Sequence, residues 1–124
     1  AYVGASPTSV AEVVSVDLGS GETDTFRLSS SVVLGTDWLS VPEGITFPTT
    51  DDGTAHAFYY PPTNPDFEPG GAETPPLLVI SHGGPTSATS ASLSLSIQFW
   101  TSRGFAVADV KVITNTNINN FVTL

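Results

Sequence analysis

Residues 75–86 read PPLLVISHGGPT, and this stretch decides how the rest of the chain is read. Leu77, Leu78, Val79 and Ile80 form a continuous apolar run bounded by prolines. That is the pattern of a strand buried on both faces, as in a parallel sheet. His82-Gly83-Gly84-Pro85 follows at once. Two glycines let the backbone take positive φ and approach another group closely, and Pro85, lacking an N–H, ends the run of donors and stiffens the turn. Ligands of open α/β sheets bind at the carboxyl edge of the strands, where this turn falls. Two readings stand open on these residues alone: a glycine turn between strand and helix, or backbone N–H groups presented to an oxyanion.

A second run of the same kind, GFAVADV, occupies residues 104–110. The span 86–103 between the runs is long enough for the crossover that parallel strands require. Leu93, Leu95 and Ile97 alternate with serines as a strand would, whereas Leu93, Ile97 and Trp100 have helical spacing. Arg103 and Gly104 suit the end of a helix, so the spacing predicts one within 86–103.

Upstream, EGITFPTTDDGTAHAFYY (43–60) reads as a hairpin. Ile45 and Phe47 alternate with Thr46, Asp51-Asp52-Gly53 turns the chain, and Ala55, Ala57 and Tyr59 alternate with His56, Phe58 and Tyr60. Residues 61–76 hold six prolines and two glycines and read as an extended loop. The first forty residues look all-β, with short strands expected within 10–18, 25–28 and 31–34 around the turn Gly19-Ser20-Gly21-Glu22. Such strands cannot bury their apolar faces alone and imply a larger sheet. No internal repeat is visible. The tail KVITNTNINNFVTL (111–124) changes character, with four asparagines where only Asn64 stands earlier.

Composition narrows the function. Twelve acids face only Arg27, Arg103 and Lys111, for a net charge of −9. Such a surface repels phosphate backbones and anionic membranes, so neither nucleic acid nor a membrane is an expected partner. No apolar run approaches the ~18 residues of a span. The absence of cysteine removes disulfides, thiolate metal sites and a cysteine nucleophile, and it fits a cytoplasmic setting. With two histidines and a short Asp51-Asp52-Gly53, neither a histidine cluster nor a calcium loop is expected; the acidic triplet reads as a β-turn. No metal or cofactor is expected.

From about residue 4 to 110 the sequence resembles the prolyl oligopeptidase family of serine peptidases, in its dipeptidyl-aminopeptidase and acylaminoacyl-peptidase-like branch. The resemblance is carried by LSVPEGITFPTTDDGTAHAFYYPPTNPDF (39–67), PPLLVISHGGPTSATS (75–90) and QFWTSRGFAVADV (98–110). It implies a partial α/β fold. Residues 1–42 would be the last β-propeller strands; 43–110 the opening hairpin, strand, helix and strand of an α/β-hydrolase domain; and 111–124 a divergent tail. It implies a peptide substrate in the intact enzyme and acyl transfer as the reaction. The N–H of Gly83 is then the oxyanion donor, with His82 and Gly84 shaping the turn.

No Gly-x-Ser-x-Gly elbow occurs in the 124 residues. The family's nucleophile, acid and base come later in its chains, and relatives continue past VADV into a Gly- and Tyr-rich stretch that this chain lacks. The chain alone is therefore expected to be inactive. A general base must reach the nucleophile and be held by a third group, and neither His56 nor His82 is expected to serve as one. The serines of 87–96 read as helix-capping and surface residues, and Tyr59-Tyr60-Pro61-Pro62 as an anchor of the hairpin against the propeller. The alternative is a free-standing, non-catalytic acidic β-rich module that binds a partner or associates with itself through exposed strand edges.

Overall fold

The computed structural model describes residues 1–49, 52–67, 74–82 and 89–111. Within them the chain is mixed α/β, mostly strand, in two sheets. The first is an antiparallel meander of β1 (Tyr2–Gly4), β2 (Glu12–Val16) and β3 (Thr23–Leu28). The second has four strands, β4 (Glu43–Pro48), β5 (Thr54–Tyr60), β6 (Leu77–Ser81) and β7 (Ala106–Lys111), in the order β4-β5-β7-β6. One helix, α1 (Leu95–Thr101), lies between β6 and β7 in sequence.

Turn chemistry sets both hairpins. Asp17 Oδ1 accepts from the N–H groups of Gly19 (2.9 Å) and Ser20 (2.7 Å), and Gly21 takes φ +76° to bring the chain back. In the second hairpin Thr49 N–H donates to Gly53 O (2.9 Å) and Asp52 sits at φ 54°, a left-handed position that aspartate tolerates. The hairpin expected over 43–60 is present. β1 was not expected, and its three residues carry too short an alternation to be read. The run 31–34 is not a strand; it is irregular and leads into a short 3-10 turn at Thr36–Trp38.

The larger sheet is antiparallel from β4 through β5 to β7, and β6 joins β7 in parallel. β7 is therefore central, and Ala106, Val107, Ala108 and Val110 are all buried, as its apolar run predicts. β6 does not match the expectation of burial on both faces: Leu77 is 54% and Val79 52% exposed. The reason is topological, since among the described strands β6 pairs only with β7 and forms the sheet edge.

Register sorts the side chains. Phe58, Asp109 and Ile80 stand in one row, and Tyr60, Val107 and Leu78 in another, on the same face. Ile97 of α1 packs there, closing a core of Tyr60, Ile97 and Val107, with Phe58, Leu78 and Ile80 against it. Tyr60 is 1% exposed and belongs to this core.

The helix ends as Arg103-Gly104 predicts. Gly104 takes φ +88°, while the N–H groups of Gly104 and Phe105 donate to Thr101 O and Trp100 O, both at 3.2 Å. Asn64 Nδ2 caps another terminal carbonyl, that of Ser102, at 2.7 Å. At the other end Ser94 holds the cap position without a capping bond; its hydroxyl pairs with that of Ser96 instead.

One buried side chain ties the connector after the first sheet to this helix. Gln98 Oε1 accepts from Ser40 N–H (2.8 Å) and Gln98 Nε2 donates to Ser40 O (3.0 Å), so the amide satisfies both backbone groups of one residue. Ser40 Oγ in turn donates to Pro61 O at 2.6 Å. Replacing Gln98 with leucine would strand two buried backbone groups, each costing about 1–3 kcal/mol when left unpaired. Urea unfolding of Gln98→Leu is expected to show a loss of that order, and an unchanged midpoint would contradict the latch.

Candidate functional site

The parallel pairing of β6 with β7 fixes where the motif of residues 82–84 begins. Both strands run toward one edge, and His82 is the first residue past the end of β6. Its side chain is half-buried. Gly83 and Gly84, the expected oxyanion donor and its neighbour, lie outside the described residues.

The same edge gathers most of the ionisable side chains the sheet carries. Because Ile80 faces Asp109 and side chains alternate, His82 projects from the face that carries Asp109. His56 of β5 pairs with Lys111 of β7 in the row beyond. Both histidines of the chain and one of its three lysine or arginine residues therefore stand on one face of one sheet end. His56 is exposed, and its Nδ1 lies 3.1 Å from Thr46 Oγ1 across the hairpin. It borders a shallow groove of ≈ 250 Å³ with Thr46, Phe58, Thr89 and Lys111.

Asp109 was not singled out by its sequence, where it interrupts the apolar run AVADV. Burial between Phe58 and Ile80 pushes its carboxyl above the usual aspartate value, and the nearby charge of His82 pulls it partly back. Tyr60, deeper on the same face, is raised in turn, by burial first and by the Asp109 charge second. Its hydroxyl is buried and has no hydrogen-bond partner among the described residues. Among those residues no group of three or more potential ligands could hold a metal, and no helix is long and apolar enough to cross a membrane.

A raised carboxyl pKa means that the fold favours the protonated acid. The ionised form therefore destabilises at neutral pH, and this effect fades as pH falls through the raised value toward 3.8. Asp109→Asn is expected to unfold at a higher temperature than the unaltered chain at pH 7. The gap should close as the pH is lowered into the carboxylate range. A gap that stays constant with pH would contradict the desolvated carboxylate.

No family model and no curated protein matches the chain. Solved structures do. A puromycin-hydrolyzing peptidase of Mycobacterium tuberculosis aligns over 87% of this chain at 35% identity with a TM-score of 0.81. A puromycin hydrolase aligns over the same share at 41% identity and a TM-score of 0.76. An acylaminoacyl peptidase of Pyrococcus horikoshii, at 22% identity and a TM-score of 0.55 over 88% of the chain, shares the fold. The chain spans only 16% to 17% of the length of these proteins. Sequence motifs and structural neighbours agree that the chain belongs with the prolyl oligopeptidase family of peptidases.

Proposed function

We propose that this polypeptide is part of a serine-type peptidase of the prolyl oligopeptidase family, whose intact form cleaves short peptides or acylated and aminoacyl N-termini by acyl transfer. Residues 1–42 are the last strands of a β-propeller, 43–110 open the α/β-hydrolase domain, and 111–124 diverge. The observation that carries the reading is the 35% to 41% identity to puromycin-hydrolysing enzymes over 87% of the chain. The parallel β6–β7 pair with His82 at its carboxyl edge supports it, because that edge is where open α/β sheets place their ligands. The exposed Leu77 and Val79 support it too: apolar strands of this kind are normally covered on both faces, which further polypeptide would do.

In this reading the Gly83 N–H donates to the oxygen that becomes negative when a serine attacks the substrate carbonyl, and His82 and Gly84 shape the turn that aims it. The nucleophile, acid and base lie elsewhere in the intact enzyme. The 124 residues alone bind no nucleic acid or membrane, use no cofactor and do not turn over.

Two measurements check this. The 124-residue chain is expected to show no hydrolysis of a chromogenic aminoacyl or acylaminoacyl substrate; turnover resistant to phosphonate serine inhibitors would defeat the assignment. In a longer polypeptide that carries this segment and hydrolyses such a substrate, Gly83→Pro removes the donor and should lower kcat about 10²–10³-fold. An unaltered kcat would remove Gly83 from the site. A non-catalytic module would instead show a cooperative unfolding transition as an isolated monomer and no activity in any longer form.

A further inference from the structure

We propose that the groove between the connector and α1 binds the free carboxyl terminus of a short apolar peptide, with Arg103 taking the carboxylate. The inference goes beyond the peptidase reading and uses none of the residues assigned a role there.

Two segments far apart in sequence build the groove. After β3 the chain runs irregularly to the 3-10 turn at Thr36–Trp38, and the bonds between Gln98 and Ser40 hold the end of this connector against α1. Between them lies a space of ≈ 310 Å³, to which the connector contributes Val32, Leu34 and Trp38 and the helix Leu95 and Phe99. That is the lower end of the range for ligand pockets and suits one or two residues of a peptide. Val32 is 46% and Phe99 48% exposed, so the apolar lining is open to solvent.

The polar groups decide what can enter. The acceptors that border the groove are already used. Gln98 Oε1 accepts from Ser40 N–H, and Ser102 Oγ accepts from Arg103 Nη1 (3.3 Å) while donating to Phe99 O (3.1 Å). Phe99 O accepts from Arg103 Nη1 as well, at 2.8 Å. What remains is donors. Both Arg103 bonds use Nη1, which leaves Nε and Nη2, and the guanidinium pairs with no carboxylate among the described residues. The Trp38 indole N–H likewise has no acceptor among them. The acid next in sequence, Asp37, does not line the groove and accepts from the Thr36 hydroxyl.

Arg103 is also held in place. Its guanidinium carbon stands 3.6 Å from the centroid of the Phe99 ring, a cation–π contact that fixes the group without neutralising it. The free Nε–Nη2 edge matches a carboxylate, whose two oxygens accept in parallel.

Charge and shape together select a peptide terminus. On a chain of net charge −9 a small anion is repelled, so apolar contact must supply the rest of the affinity. A terminal apolar residue brings carboxylate and side chain together, and the carbonyl before it supplies a second acceptor for the Trp38 N–H. The chain belongs with peptidases, and hydrolysis of a peptide bond leaves such a terminus on one product.

The test is ¹H–¹⁵N nuclear magnetic resonance on the full 124-residue chain, with acetyl-Leu-Leu added as the free acid or as its amide. The acid should move the Trp38 indole signal saturably. The amide should bind about tenfold or more weakly, because it lacks the charge-assisted pair. In Arg103→Gln acid and amide should bind alike. Decanoate, an apolar acid without a peptide carbonyl, should bind less tightly than the peptide acid.

Equal affinity of acid and amide for the unaltered chain would overturn the proposal, and that comparison needs no variant to fold. So would an acid preference that survives Arg103→Gln, a Trp38 signal that neither peptide moves, or decanoate binding as tightly as the peptide acid. A Trp38 shift that follows protein concentration instead of added peptide would give the groove to a second copy of the chain and overturn it too. No turnover is measured, so the peptidase reading stands or falls separately.

Discussion

The constraint on which the structure depends is the parallel alignment of β6 with β7. Antiparallel neighbours can be joined by a two-residue turn, but parallel ones need a crossover that carries the chain back to the starting edge. Here the return lies between Ser81 and Ala106, and α1 belongs to it. The crossover places Ile97 over Tyr60 and Val107 and so seals one face of the sheet. It also forces the two carboxyl ends together, and with them His82, Asp109 and Lys111. The polar end of the sheet is a consequence of strand direction.

The connector that follows the first sheet is tied to the helix. Gln98 presents its side-chain amide to the backbone of Ser40 as a neighbouring strand would, and Ser40 passes the contact on to Pro61. At the opposite end of α1, Thr63 N–H donates to Thr101 O and Asn64 holds Ser102 O. A helix of seven residues is too short to persist in water alone. These bonds, the glycine terminus and the apolar contact of Ile97 supply what its length does not.

Much of this was legible in the sequence, for identifiable reasons. The hairpin of β4 and β5 announced itself by alternation around an acidic turn, and the parallel pair by two apolar runs separated by a crossover's length. Gly104 signalled a helix end because only that residue type takes its φ without strain. What escaped was decided by partners. Residues 31–34 have the composition of a strand but pair with no strand among the described residues. β6 and β7 look alike in sequence, yet one is an edge and the other central, a distinction made by strand order alone. At the site, His82 was visible because glycines follow it, whereas Asp109 hid inside an apolar run and emerged only when register set it beside Ile80. β7 runs through Lys111, the first residue of the tail; the remainder of the tail, with Gly83 and Gly84, lies outside the described residues.

The relation to hydrolytic enzymes, the edge position of His82 and the burial of Asp109 all presuppose the direction and register of one strand pair. Backbone nuclear Overhauser effects in the folded chain measure both. The account predicts the parallel pattern, with contacts between the α protons and amides of β6 and β7 in a register that sets Leu78 against Val107 and Ile80 against Asp109. Close α-proton pairs across these strands, the mark of antiparallel pairing, or a register that turns Asp109 to the opposite face from Ile80, would contradict it.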